Sequence, residues 1–244
     1  GLGDVYKRQL EISGVRRSNR FFFDMLDGID SAAERGQVFH DYLAVKFVLH
    51  EWQEYRGDAR RSLRNSYIRF LRGWGVDSSG VEGAVLKGWV LSRFGITPTY
   101  HRGILKHRDG EEDRRFAYDR MKGSMRTNAI SQQLDLLYEF CQYELRRRWP
   151  ERPTLLLFRG TNDPEEHPVL EVRAKRESCV RLNNLCSFTS DREKAWEFGS
   201  TVWQATVAAA KVVFFSELLP SSLLAGENEY LVIGGNYWVR ELLF

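Results

Sequence analysis

Three short stretches of the chain carry residue types that could do chemistry. Glu227-Asn228-Glu229 opens an apolar run, Tyr230-Leu231-Val232-Ile233. Residues two apart in a strand share a face and lie roughly 6–7 Å apart, and two carboxylates placed so are costly to bury without a partner. Such a pair can divide labour, one carboxylate meeting a developing positive charge while the other orients a nucleophile. After Gly226 the same pair also fits a solvated edge at a turn. Arg159 ends the most apolar run, Leu155-Leu156-Leu157-Phe158, and precedes Gly160. Its guanidinium offers five donors in a fixed fork, suited to a phosphate or carboxylate; the plainer alternative is an ion pair with Glu165 or Glu166. Ser187-Phe188-Thr189-Ser190-Asp191 gathers three hydroxyls at a strand end that runs into a helix. Ser190 with Glu193 fits a capping box and Asp191 is an alternative N-cap, which accounts for one hydroxyl and not for three. Alternation puts Ser187 and Thr189 on one face and Ser190 on the other.

The elements that must position these groups fall into two halves that meet near Pro150. Before it, apolar residues recur at helical spacing from about Ser18 to Leu49, with a break at Asp27–Ser31, and again from Tyr55 to Leu71. A shorter helix fits Val81 to Phe94, stopped by Gly95-Ile96-Thr97-Pro98. Residues 106–128 are dense in charge and read as loop or exposed helix. Ser131 to Trp149 gives the clearest helix, with Leu134, Leu137, Tyr138, Cys141 and Leu145 in one stripe and Arg146–Arg148 complementing its C-terminus. After Pro153 short strands follow: Leu155–Gly160, Val169–Val172, Leu185–Thr189, Thr201–Val207, Lys211–Phe215, Glu229–Ile233 and Tyr237–Leu242. One helix, about Asp191–Phe198, interrupts them before Gly199. The pattern predicts an α+β chain, with a helical lobe over 10–150 and a β-rich core over 151–244 packing as one compact unit. Strand–helix alternation, GxGxxG and GxxxxGK[ST] are all absent, so Rossmann and P-loop nucleotide sites are excluded. Gly1–Gln9 carry no structural weight.

An Arg strand, a Ser/Thr strand and a Glu-x-Glu strand, in that order, resemble the Arg-Ser-Glu class of mono-ADP-ribosyltransferases. Within that class, the run Asn184–Gly199, Gly226–Gly235 and the helical N-terminal half resemble the dinitrogenase reductase ADP-ribosyltransferase family over nearly the whole chain. The resemblance implies a β core of two packed small sheets. It also implies transfer of ADP-ribose from NAD to an arginine of the nitrogenase iron protein, dinitrogenase reductase, switching nitrogen fixation off. It carries cofactor binding onto Arg159, Gly160 and the Ser187, Thr189 and Ser190 hydroxyls, with Ser190 favoured. Catalysis falls on Glu229, which engages the nicotinamide ribose, and on Glu227, which orients the incoming arginine. The chemistry suits the residue types: a fixed carboxylate stabilises positive charge on a ribose as a glycosidic bond breaks, and no metal is required. Control by a PII-type signalling protein is a further implication of the resemblance.

Composition supplies exclusions. Three cysteines, Cys141, Cys179 and Cys186, lack CxxC or zinc-ligand spacing, which points to a reducing cytoplasmic setting. No apolar run reaches the roughly 20 residues of a membrane span. The net charge of +3 hides an arginine surplus, 28 of the 36 basic residues. It also hides a split: residues 1–150 hold 26 basic and 20 acidic residues, residues 151–244 hold 10 and 13. Arg60-Arg61, Arg114-Arg115, Trp74 and Trp89 give some support to a non-enzymatic arginine-rich binding module, yet the interleaved acids make a weak phosphate-tracking field, and nucleic acid is not expected. NAD glycohydrolysis, or transfer to another acceptor, is the nearer rival.

Overall fold

A computed structural model describes residues 11–49, 66–106, 110–125, 127, 129–162, 167–221 and 228–243. The expected helical segment around Tyr55 and Leu63, together with Arg60-Arg61, Glu165, Glu166 and Glu227, lies outside the described residues. The described helices before Pro150 are α1 (Val15–Ser18), α2 (Arg20–Asp27), α3 (Ala32–Lys46), α4 (Tyr67–Val76), α5 (Val81–Phe94), α6 (Glu111–Ser124) and α7 (Ile130–Arg148). The β core follows: β1 (Thr154–Thr161), β2 (Val169–Ala174), β3 (Glu177–Thr189), α8 (Arg192–Glu197), β4 (Thr201–Ala208), β5 (Val212–Phe215) and β6 (Glu229–Leu242). The architecture is α+β, with a helical N-terminal lobe and a C-terminal β core.

The charged stretch after residue 106 forms a true helix, α6. Glu111, Glu112 and Asp113 fill its first turn and Lys122 its last, so charges that look like loop composition complement the helix ends. Its one buried aromatic, Phe116, packs with Ala84 and Leu105.

The six strands make one hydrogen-bonded sheet in the order β2-β3-β1-β4-β6-β5, with β3 also pairing β6. The expected pair of packed small sheets is thus one continuous sheet tied together by its long strands: β6 pairs β3 from Glu229 to Arg240, β5 near its start and β4 at its end. The lone Phe158↔Thr189 bridge closes the ring β1-β4-β6-β3. β3 runs eight residues further back than the sequence reading from Leu185, and β6 crosses Gly234-Gly235 without a break. The cause is a register shift between Leu182 and Leu185 opposite those glycines. A Cβ on Gly234 would sit 1.6 Å from the Asn183 carbonyl oxygen, and Gly235 has a φ of 101°. Only glycine permits that approach and that backbone.

The Asn183-Asn184 pair looks like a turn in sequence, but here it sews the lobe to the sheet. The Asn184 side-chain amide donates to the Lys87 and Ile96 carbonyls at 2.8 and 2.9 Å. Asn183 accepts from the Thr99 N–H and donates to the Tyr100 carbonyl. On the other side, α7 lies along β5. Gln142 donates to the Val212 and Ala209 carbonyls and Tyr138 to the Ala210 carbonyl. One apolar cluster runs from Phe22 and Phe39 through Leu134 and Tyr138 to Val212, Phe215 and Val232.

Candidate active site

Strand pairing brings the distant motifs together. Thr189 faces Glu229 across β3 and β6, and Ser187 faces Leu231. Cross-strand partners share a face, as do residues two apart, so Ser187, Thr189 and Glu229 lie on one face. The Ser187 hydroxyl donates to Glu229 Oε1 at 3.0 Å. From β1, Arg159 Nη1 donates to the Ser187 carbonyl at 2.9 Å. Ser187 is thus the point where the arginine and the carboxylate meet. The Arg159 Nε is buried without a hydrogen-bond partner among the described residues.

The other two hydroxyls are occupied elsewhere. Thr189 is buried and its Oγ1 accepts from the Asp191 N–H at 3.0 Å. Ser190 is exposed; its N–H donates to the Asn228 carbonyl and its side chain is hydrogen-bonded to Tyr230, on the face away from Glu229. Asp191 is the cap of α8, accepting from the Glu193 and Lys194 N–H groups at 2.9 and 3.2 Å. Ser190, the hydroxyl that the resemblance favours, lies on the opposite face from Ser187 and Glu229.

Gly160 has a packing reason to be glycine. A Cβ there would fall 2.0 Å from the Ala195 carbonyl, and one on Gly199 would fall 2.3 Å from the Thr161 nitrogen. The end of β1 and the end of α8 therefore interlock backbone to backbone, which fixes the exit of the strand that carries Arg159.

Strand alternation does not relate Glu227 to Glu229. β6 begins at Glu229, and Asn228 before it adopts a left-handed backbone, φ 58°, a conformation that asparagine tolerates better than most residues. The Glu229 N–H is accepted by the Ser216 hydroxyl at 3.0 Å, so the strand start is held from the β5 side as well.

Three residues stand close to the cluster that the motifs do not flag. Trp74 on α4 donates its indole N–H to Ser187 Oγ at 2.8 Å. Lys87 on α5 is buried with its Nζ 5.9 Å from the Trp74 ring centroid, donating to the Tyr100 carbonyl. Burial lowers this ammonium to about 8. His167 is buried edge-on against Trp203, the cross-strand partner of Arg159. Burial first, then the Arg159 charge, lowers its pKa to about 4, so its imidazole is neutral near pH 7. Trp74 and Trp89 are both buried, which removes them as stacking platforms for bases. Among the described residues no group of three His, Cys, Asp or Glu side chains is placed to hold a metal ion, and no helix is long and apolar enough to cross a membrane.

Residues 4–241 match the family model described as dinitrogenase reductase ADP-ribosyltransferase. The chain is 44% identical over 237 residues to the NAD(+)–dinitrogen-reductase ADP-D-ribosyltransferase of Rhodospirillum rubrum, covering 95% of this chain and 86% of that protein. No solved structure matches the chain.

Proposed function

The chain belongs to the dinitrogenase reductase ADP-ribosyltransferase family, and on that premise we propose that it transfers ADP-ribose from NAD to an arginine side chain of dinitrogenase reductase. Nicotinamide is released and nitrogen fixation is switched off. The observation that best supports the chemistry is the meeting of Arg159, Ser187 and Glu229 at one strand junction.

NAD supplies a ribosyl bond whose leaving group, nicotinamide, departs neutral. The residues fit such a co-substrate, because the Arg159 Nε is buried without a partner among the described residues, while Arg159 and the Glu229 carboxylate are both anchored on Ser187. Arg159 holds the anionic or ribose portion by its guanidinium, steadied from behind by the Ser187 carbonyl. Glu229 has Oε1 engaged by Ser187, and its second oxygen makes no hydrogen bond among the described residues. That oxygen is available to a ribose hydroxyl, and the carboxylate charge opposes the positive charge that develops on the sugar as the bond breaks. Glu227 pairs with the acceptor guanidinium, which is protonated near neutrality, aims one nitrogen at the anomeric carbon and helps take up its proton. The lobe before Pro150 contributes to binding cofactor or target, and the reaction belongs in the cytoplasm with the iron protein. Control by a PII-type signalling protein completes this reading; a pull-down with purified PII-type protein that recovers nothing removes that component.

The test is incubation with labelled NAD and purified nitrogenase iron protein, scored for label on an arginine, beside the Glu229→Gln variant. The wild type labels the iron protein; Glu229→Gln keeps its circular dichroism and loses label transfer. Near-normal transfer by that variant refutes the role of Glu229. Nicotinamide release without label on the iron protein moves the activity to NAD glycohydrolysis or to a different acceptor.

A further inference from the structure

We infer that Trp74, from the helical lobe, is a positioning residue for Glu229 and acts through the Ser187 hydroxyl; the inference rests on the reading of Glu229 as the catalytic carboxylate. An indole N–H can only donate, and a serine hydroxyl has one hydrogen to give. With Trp74 Nε1 2.8 Å from Ser187 Oγ, the serine oxygen is the acceptor of that bond. Its single hydrogen then points to Glu229 Oε1, 3.0 Å away. The polarity of the relay is fixed in one direction, from tryptophan to serine to glutamate.

Without the indole donor, only the acceptor carboxylate itself selects that orientation. A serine side chain has three staggered wells and a freely turning hydroxyl, and water or a neighbouring carbonyl competes for its hydrogen. Ser187 is half-buried, so that competition is real. Trp74 removes it from behind. The indole is itself held still: it is buried, Lys87 Nζ lies 5.9 Å from its ring centroid, and the first turn of α4 is tied to α7 by the Gln133 side chain, which accepts from the Tyr67 N–H at 2.9 Å. Among the described residues, the Trp74 indole nitrogen thus links the helical lobe to the reacting end of the sheet. Nothing in the motifs around Arg159, Ser187 and Glu229 announces this, since Trp74 precedes Ser187 by 113 residues.

The experiment compares Trp74→Phe, Ser187→Ala, the double variant and Glu229→Gln in steady-state nicotinamide release and in transfer to iron protein, with KM for NAD and urea midpoints. Trp74→Phe is expected to lower kcat of both reactions in parallel by about ten- to a hundredfold, the range found for groups that orient metal ligands from behind. KM for NAD should stay within about threefold, as for a group that acts mainly in the transition state. Because Trp74 works only through Ser187, the double variant should be no slower than Ser187→Ala alone. Multiplying losses in the double variant, or a Trp74→Phe kcat within about twofold of wild type, overturns the inference. Where Trp74→Phe unfolds, benzothienylalanine at position 74, matching the tryptophan shape without the N–H, is read by the same criteria. Full activity of Glu229→Gln, by contrast, removes the reading of Glu229 itself rather than the tryptophan relay.

Discussion

Lys87→Met should stabilise the protein near neutral pH and flatten part of its alkaline stability profile. The Lys87 ammonium is buried beneath Trp74 and pushed down to about 8, with burial as the main cause and the Cys186 and Asp77 charges opposing it. An exposed lysine in the unfolded chain keeps the ordinary value of 10.5. Below about pH 8 both states hold the proton, and the folded state carries the full cost of a buried charge. From about 8 to 10.5 the folded state releases its proton while the unfolded state keeps it, so stability rises with pH across that window. At about 1.4 kcal/mol per pH unit, the cost near neutrality is roughly 3 kcal/mol. Methionine keeps the length and apolar stem of the side chain but loses the hydrogen bond to the Tyr100 carbonyl, worth about 1 kcal/mol. That carbonyl is not orphaned, because the Asn183 side-chain amide also donates to it, at 2.9 Å. The balance is a gain of about 2 kcal/mol at pH 7. Urea unfolding of wild type and variant at pH 7 and pH 10 measures it. The gap should shrink by about 2 kcal/mol on going to the higher pH. Lys211, also pushed down to about 8 by burial, is present in both proteins and cancels in the difference. A variant less stable than wild type at pH 7, or a gap that ignores pH, refutes the reasoning.

Two further outcomes follow from the same geometry. Ser187→Ala should cost about ten- to a hundredfold in kcat, the equivalent of roughly 1.5–3 kcal/mol for a hydrogen bond to a charged group, whereas Ser190→Ala should change it by less than about threefold; initial rates of nicotinamide release for the two variants decide, and the reverse order removes Ser187 from the site. His167, held neutral with a pKa of about 4 against an ordinary 6.5, makes the protein lose up to about 3 kcal/mol as pH falls from 6.5 to 4, because only the unfolded chain takes up the proton in that window; His167→Phe, read by urea midpoints at pH 7 and pH 4.5, should lose that component of the slope.

The chemistry was more legible in the sequence than its geometry. Arg159, the hydroxyl cluster and Glu229 stand out because a charged or hydroxylated residue closing or opening an apolar strand needs a reason, and their order along the chain suggests one. Alternation already separates Ser190 from Ser187 and Thr189, but choosing between the faces requires the register Thr189↔Glu229, which no local pattern encodes. The argument that Glu227 and Glu229 share a face assumed extended backbone at Asn228, and its positive φ removes the premise. The first half of β3 went unseen because Asn183-Asn184 has turn chemistry; the pair is spent instead on carbonyls of the helical lobe, a tertiary use of local turn formers. His167 and Lys87 had no signal at all, because their meaning comes from burial.

The arginine surplus takes on a different sense once its partners are known. Arg35 is buried and grips Glu144 with two hydrogen bonds while donating to the Ile29 and Asp30 carbonyls. Arg148 shares Glu144 Oε2 with Arg35 and reaches the Glu217 carbonyl. Arg147 joins α7 to the end of α2, and Arg93 shares Asp135 with the Trp89 indole. These cations are connectors among helices, and the basic first half is to that extent internal wiring rather than a surface for an acidic partner. Guanidinium suits the task because its planar fork satisfies a carboxylate and several carbonyls at once. Buried pairs of this kind add little net stability, but removing one partner strands the other at a cost of about 3–5 kcal/mol, so they select one arrangement of helices over near alternatives. That selectivity bears on catalysis. α7 is fixed to α3 by Arg35 and Glu144, to α4 by Gln133, and to β5 by Gln142. Since α4 carries Trp74 and β5 pairs with the start of β6 beside Glu229, the same helix sets the tryptophan and the glutamate relative to each other. A 2.8 Å contact between an indole on one half and a serine on the other survives only if that distance is held this tightly, and the arginine-rich lobe is what holds it.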